Sequence, residues 1–327
     1  MANDVTVKID IRKPAGKLGF GIPLILTIGK AAEYKECFEI ADVVDAGYKD
    51  TTDTYKAASL MFSQTDKPSS IAIVGAESAD AAVETLTANA DKGWRRLVIV
   101  GAETAALSSV INYINATDDK MLFVVVPDTA GLAALGTNDR VVGFVHTTPL
   151  AAAALVGEAS GLNPGGFTYK NLILTGIEPM TFSEAELRAI HDANGLTFVT
   201  KAGDNVTSEG KAMSSEYIDI IDCKDWIISQ IIYRTQKLLN TMPKVPYDNA
   251  GIAMLENVCL TVLKEAANMG MIAYDTESGS YLYSTDYALR EDQSTTDRVE
   301  RKYVGGKFSF ELAGAIHTVV VNGEISI

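Results

Sequence analysis

The stretch "SIAIVGAESADAAVETLTANADKGWRRLVIVG" (70–101) decides the fold. An apolar run, SIAIVG (70–75), precedes a segment of helical pattern (80–93), and a second apolar run, RLVIVG (96–101), follows it. Buried parallel strands are continuous apolar runs, and parallel pairing needs a crossover such as a helix between them. The stretch therefore predicts a strand–helix–strand unit of an α/β layer with at least partly parallel strands.

The same alternation extends outward from this unit. Further buried strands are predicted at IPLILTIG (22–29), MLFVVVP (121–127) and VVGFVHTT (141–148), with another helix over 104–116. These elements place the whole of 20–150 in one α/β layer.

The C-terminal half has a different pattern. LTFVTKAGDNV (196–206) is typical of a hairpin, and SEAE (183–186) is a capping box that starts a helix. Two long amphipathic helices are predicted over about 223–241 and about 249–269, the second ending at Gly270. The predicted fold class is α/β (α+β), with layered mixed sheets and flanking helices.

The predicted domain division uses the loop GLNPGGFTY (161–169) as a boundary. It consists of an N-terminal arm (1–19), an α/β domain (20–165), a C-terminal domain (166–310) and a C-terminal arm (311–327).

Composition narrows the function. The 327 residues are 47 % hydrophobic, which is ample for a packed core, and the net charge of −14 disfavours binding to a nucleic-acid backbone. The densest basic run is only WRR (94–96). Cys37, Cys223 and Cys259 are few and far apart, so buried free thiols are expected. No secretory leader is expected, and the longest apolar run (150–157) falls short of the ~20 residues of a membrane span.

Catalytic signatures are missing from the sequence. It contains no phosphate loop, no dinucleotide-binding glycine motif, no nucleophile elbow and no His-Glu-x-x-His. His146, His191 and His317 have no ligand or base at a recognisable spacing. The sequence therefore predicts no enzyme, no metal site and no cofactor.

An acidic cluster, Glu216, Asp219, Asp222 and Asp225, is the nearest approach to a paired-carboxylate site. Asp219 and Asp222 could hold a cation or share a proton. The favoured interpretation is that Asp222 caps a helix starting near 223 and that Asp225 lies in its first turn. Negative charge stabilises that position by ~0.3–1 kcal/mol.

Both ends of the sequence have strand patterns. In VTVKIDIR (5–12), strict alternation places Val5, Val7, Ile9 and Ile11 on one face, and Pro14, Gly16, Gly19 and Gly21 follow as a predicted hinge. At the other end, ELAGAIHTVVVNGEISI (311–327) is expected to have nothing downstream to pair with it. Unpaired apolar strands tend to aggregate unless they join their own sheet or a neighbour's. Two such ends favour strand exchange between subunits.

The residues also resemble a known family. EYIDIIDCKDWIISQIIYRTQKLL (216–239), KVPYDNAGIAMLENVCLTVLKEAANMGMIA (244–273) and LAGAIHTVVVNGEI (312–325) are similar to the C-terminal domain of contractile tail sheath proteins. DTYKAASLMFSQTDKPSSIAIVG (53–75) is similar to the family's helix ending in Phe-x-Gln before a strand. The motif residues that carry the resemblance are Asp219, Asp225, Trp226, Pro246, Gly251, Gly270, Gly314, Ala315 and Ile316.

The resemblance implies assembly in place of catalysis. It implies a subunit of stacked hexameric rings around a tail tube, which contracts to drive the tube through a cell envelope. Residues 5–12 and 317–327 would be donated strands, with His317, Val319, Val320, Val321 and Ile325 in the second. The receiving strands would lie near 197–201 or 271–285. Expected partners are other copies, the tube, baseplate and terminator proteins, in a virion tail assembled in the host cytoplasm. The alternatives are an α/β nucleotide- or metabolite-binding enzyme and another self-assembling virion component.

Overall fold

Six apolar runs form the parallel strands of one sheet. The structure, a computed structural model, describes residues 21–117 and 119–320. The sheet has eight strands, β1 (Ile22–Ile28), β2 (Ala32–Cys37), β3 (Ile71–Ala76), β4 (Trp94–Val100), β5 (Met121–Val126), β6 (Val141–Val145), β7 (Leu196–Lys201) and β8 (Asp204–Thr207). Their spatial order is β2-β3-β1-β4-β5-β6-β7-β8. Neighbours from β3 to β7 are parallel, whereas β2 and β8 pair antiparallel at the two edges.

Seven helices cover this sheet, α1 (Ile40–Asp45), α2 (Asp53–Phe62), α3 (Ala82–Ala88), α4 (Ser108–Asn115), α5 (Thr129–Ala134), α6 (Ala151–Gly161) and α7 (Glu184–Asp192). A 3₁₀ turn, Thr104–Leu107, leads into α4. The buried side chains of α1, α2 and α6 form a core on one face, and those of α3, α4, α5 and α7 form a second core on the other. The predicted α/β layer with flanking helices is confirmed, with strand ends within three residues of those expected.

Helix α6 is buried from Ala151 to Ser160, on all sides. Its small residues let α2 approach closely, since a Cβ on Gly157 would lie 2.6 Å from the Cα of Met61. A helix that is apolar all round has no amphipathic period, so the sequence pattern did not predict it.

The sheet crosses the predicted domain boundary at residue 165. Strands β7 and β8 extend the same sheet, although they belong to the stretch assigned to the C-terminal domain. A separate core begins with Cys223, Trp226 and Ile227. A boundary near 217 separates the cores better than one at 165. We therefore propose the predicted domain division with this boundary moved to about 217.

The C-terminal elements form a helical hairpin with small β-ribbons. They are α8 (Ile218–Thr241), α9 (Asn249–Asn268), β9 (Tyr274–Asp275), β10 (Ser280–Tyr281), β11 (Tyr283–Tyr287), a 3₁₀ turn (Arg290–Asp292), α10 (Thr295–Val299) and β12 (Gly306–Phe310). Strand β9 pairs with β10, and β11 pairs with β12.

Helix α8 begins five residues earlier than predicted. Tyr217 precedes its first turn, so Asp222 and Asp225 lie inside the helix and the prediction that Asp222 caps it is wrong. Burial of Ile218 and Ile221 in the sheet core explains the earlier start, because apolar packing stabilises that first turn.

Candidate functional site

A cluster of buried charged side chains fixes α8 to the sheet. It starts at an irregularity in β4, where consecutive residues of β1 pair with Trp94 and Arg96, so that Arg95 is an extra residue. A β-bulge redirects the side chains beside it. As a result, Arg95 and Arg96 both reach the carboxylate of Asp222 on α8.

Asp222 is satisfied on both oxygens. Its Oδ1 lies 2.6 Å from Nη2 of Arg95, and its Oδ2 lies 2.7 Å from Nη2 of Arg96 and accepts from the Tyr169 hydroxyl at 2.8 Å. Burial opposes ionisation of this carboxyl, but the guanidinium groups of Arg96 and Arg95 outweigh it and hold the Asp222 pKa at about 2. Asp222 is therefore ionised at neutral pH although only 1 % exposed.

Asp225, one turn further along α8, joins the helix to a second strand. Its carboxylate accepts from Arg140, which immediately precedes β6, and lies 2.8 Å from Nη1 of Arg95. Both partners are buried. One face of α8 is thus tied to β4 and to the residue before β6 through buried side chains.

The four predicted acidic residues do not converge on one site. Asp222 and Asp225 are paired with arginines, and Glu216 is exposed. Asp219 has a buried Oδ1 without a hydrogen-bond partner among the described residues, and burial raises its pKa. No group of three or more His, Cys, Asp or Glu that could hold a metal occurs within 21–117 and 119–320.

The first two histidines are occupied by local hydrogen bonds. His146 contacts the Glu178 carbonyl and accepts from the Thr148 amide, and His191 contacts the Ser208 hydroxyl at 2.9 Å. Burial lowers the pKa of both rings. The three cysteines are buried free thiols, as predicted. Within the part of the chain that is described, no helix is long and apolar enough to cross a membrane.

Several family-motif residues build the separate core between α8 and α9. Trp226 packs with Cys259 and Val262 between α8 and α9. Gly270 ends α9 with a φ of +86°, in the left-handed region that favours glycine. Asp248 caps α9 by accepting from the Gly251 amide at 2.9 Å.

Gly251→Ala is expected to destabilise the fold by about 1–3 kcal/mol, because the added Cβ would lie 1.8 Å from the Pro246 carbonyl oxygen. Urea unfolding of the monomer measures the change. Gly166→Ala is the control, since its Cβ would meet only the Asn163 oxygen, at 3.3 Å. Equal stability of the two variants would contradict a close-packing role for Gly251.

The C-terminal motif residues lead into an exposed segment. Gly314 has a φ of +63°, and Ala315 lines a cavity of about 260 Å³ above the first turns of α8. Ile316, Val319 and Val320 are 85 %, 73 % and 80 % exposed. Residues 313–320 form no strand within the single chain, and the donated strand over 317–327 stays a prediction for the assembly. His317 instead contacts its own subunit.

Much of the predicted exchange machinery lies outside the described residues, namely Val5, Val7, Ile9, Ile11, Pro14, Gly16, Gly19, Val321 and Ile325. Gly21 is described, with a φ of +81° and a Cβ position 2.5 Å from the Cβ of Arg95. Glycine is required there by close approach and backbone conformation. Its role in a hinge stays a prediction.

Both the sequence of the C-terminal part and the fold of the chain match known proteins. Residues 218–325 match the family model "E217 tail sheath protein gp31-like, C-terminal domain". A search of the curated proteins found no match.

Solved structures match along the whole chain. A chain of the anti-feeding prophage baseplate is 11 % identical with a TM-score of 0.76 and full coverage of both chains. The contracted helical sheath of the same particle is 12 % identical with a TM-score of 0.72, covering 99 % of each chain. The crystal structure of a sheath tail protein from Desulfitobacterium hafniense is 10 % identical with a TM-score of 0.63, covering 94 % of this chain and 99 % of that one.

These matches define the class of protein, since the described chain has the fold of contractile sheath proteins. Residues 218–325 match the model of the C-terminal domain of gp31-like tail sheath proteins, which covers about a third of the chain. The predicted resemblance and the prediction of a structural sheath protein are confirmed at the level of domain family and fold.

Proposed function

We propose that this sheath protein polymerises by exchanging strands between subunits, as stacked hexameric rings around a tail tube, and contracts to drive the tube through a cell envelope. The observation that carries the proposal is the exposure of the apolar side chains of Ile316, Val319 and Val320, in a chain that also has a small two-stranded ribbon, β11–β12. The ribbon offers a place where such a strand from another copy could be added.

The ribbon has one covered face and unpaired edges. Tyr283, Tyr287 and Phe310 pack against α9, while Ser284 and Ser309 pair on the outer face at 2.8 Å. Within the described residues, β11 and β12 form a two-stranded sheet and pair with no third strand. Isolated two-stranded ribbons are marginal, and open edges attract further strands. The ribbon overlaps the receiving range predicted at 271–285.

The other predicted receiver, 197–201, is poorly placed. Strand β7 has β6 on one side and β8 on the other, and Met180 bridges to Val199. We therefore assign strand addition to β11–β12.

The proposed partners follow from the same assembly. Similar chains come from contracted sheaths of the anti-feeding prophage and of an extracellular contractile injection system, and from a baseplate. Other copies of this chain, a tail tube, baseplate and terminator proteins are the proposed contacts, in a tail assembled in the host cytoplasm. A non-enzymatic role is consistent with the sheath domain family.

Electron microscopy of the expressed protein tests the proposal. Hollow, ribbed sleeves with six-fold symmetry in cross-section are expected. A protein that stays monomeric at every concentration, or that forms closed shells, would contradict it. Closed shells would instead support the alternative of another self-assembling virion component.

A further inference from the structure

We infer that His317 fastens the root of the C-terminal arm to its own subunit, so that the exchanged strand begins after this residue and leaves in a fixed direction. The inference deepens the proposed strand exchange and rests on it for its functional meaning. Its structural content is a side-chain cluster, here called the clasp, formed by His317, Thr168, Lys170, Glu209 and Tyr217.

Both ring nitrogens and the carbonyl oxygen of His317 have a hydrogen-bond partner in the clasp. Its Nε2 lies 2.9 Å from the Thr168 hydroxyl, and its Nδ1 lies 3.2 Å from Oε1 of Glu209. Lys170 donates to the His317 carbonyl oxygen at 3.1 Å. The imidazole also meets the Tyr217 ring edge-on, with centroids 4.9 Å apart. Four side chains, from three segments of the body, thus converge on one residue of the arm.

The clasp is itself built into the body of the subunit. The side chains of Lys170 and Glu209 are each 12 % exposed and lie 3.5 Å apart. Burial opposes ionisation of Glu209, but Lys170 and the Gly210 amide outweigh it and lower the Glu209 pKa. A carboxylate acceptor is therefore in place for the imidazole at neutral pH.

The neighbours of His317 in sequence are exposed, whereas its own side chain is mostly buried. Its side chain is 11 % exposed, whereas Ile316 and Val320 are 85 % and 80 % exposed. The previous attachment is Ala313, whose amide donates to the Met271 carbonyl at 2.9 Å. Between them lie Gly314, with its positive φ, and the cavity that this segment covers.

This arrangement separates an anchored root from a free surface. A random tether would let the arm leave in any direction, at an entropic cost on joining a neighbour. Fixing His317 removes part of that cost and sets which side chains of the following residues face outward. The predicted donor strand, which was expected to include His317, is revised to start at residue 318.

Spin labelling of the monomer tests the clasp directly. A nitroxide on Val319→Cys labels the arm selectively, because the three native cysteines are buried. His317→Ala and Glu209→Gln are expected to shorten the label's rotational correlation time about threefold, into the range of loop motion. Glu311→Gln, the same chemical change at an exposed position near the arm root, is the control and should leave the spectrum unchanged.

Assembly of the unlabelled chains gives the functional readout. The concentration at which tubes form is expected to rise about fivefold or more in His317→Ala and Glu209→Gln, and not in Glu311→Gln. An unchanged label spectrum in His317→Ala would overturn the clasp. If the spectrum showed a mobile arm but tubes still formed at the parental concentration, the role of the clasp in assembly would be overturned. A parental chain that forms no tubes contradicts the proposed function instead, and the label spectra still decide the clasp.

Discussion

Replacing Val319 and Val320 by aspartate is expected to abolish tubular polymers and leave the monomer folded. The two side chains are 73 % and 80 % exposed, so the monomer should keep its unfolding free energy within about 0.5 kcal/mol. In the polymer, the same positions would carry two carboxylates into a strand added to another subunit. Burying an unpaired charge is far more costly than exposing it.

Electron microscopy and sedimentation measure the polymer, and urea unfolding measures the monomer. Val299→Asp with Val304→Asp is the matched control, because these valines are 77 % and 56 % exposed in the same region but outside the arms. Its polymers should persist. Normal sleeves from the Val319 and Val320 variant would contradict strand donation by this segment.

For the N-terminal arm, the sequence alone predicts the same loss of tubular polymers. Val7→Asp with Ile9→Asp places charge on the apolar face of the predicted donor strand. A folded monomer without tubes is expected, by the same measurements. If only one of the two arm variants lost assembly, exchange would be carried by that arm alone.

Local patterns predicted most of the parallel strands well because those strands are apolar runs, whereas the edge strand β2 (AEYKEC) has no such run and was not predicted. The run RLVIVG predicted β4 within two residues of its observed start, Trp94, and the capping box at Ser183 correctly started α7. Helix α6 was not predicted because full burial removes the polar face on which helix periodicity depends. The start of α8 was wrong because tertiary packing of Ile218 decided it.

The buried ion pairs between α8 and the sheet could not be predicted from the sequence. Arg95 and Asp222 are 127 residues apart in sequence, and no local pattern pairs them. Two weak signals were present. WRR stands at the start of an apolar strand, and Asp222 and Asp225 share one helical face. Their meaning depends on the bulge at Arg95, which only the register of β1 and β4 reveals.

Asp222→Asn is expected to destabilise the subunit by about 3–5 kcal/mol, the usual loss when one partner of a buried ion pair is removed. The change leaves Arg95 and Arg96 without the carboxylate that both contact, at a site where Asp222 is 1 % exposed. Since α8 also carries the separate core around Trp226, that core should lose its attachment to the sheet. Urea unfolding followed at Trp94, in a core of the sheet, and at Trp226, in the core between α8 and α9, measures both the loss of stability and any separation of the two unfolding transitions.

Glu265→Gln is the control, because Glu265 also pairs with an arginine, Arg234, but the two side chains are 44 % and 28 % exposed. A change below about 1 kcal/mol is expected there. The pH dependence gives a second check. The folded pKa of Asp222, about 2, lies below its unfolded value of about 3.9, so its contribution is present above pH 4 and is lost as pH falls towards 2. The difference in unfolding free energy between the parental chain and Asp222→Asn should therefore shrink as the pH falls from 4 to 2. If that difference stayed constant down to pH 2, the charge of the carboxylate would not be what joins α8 to the sheet.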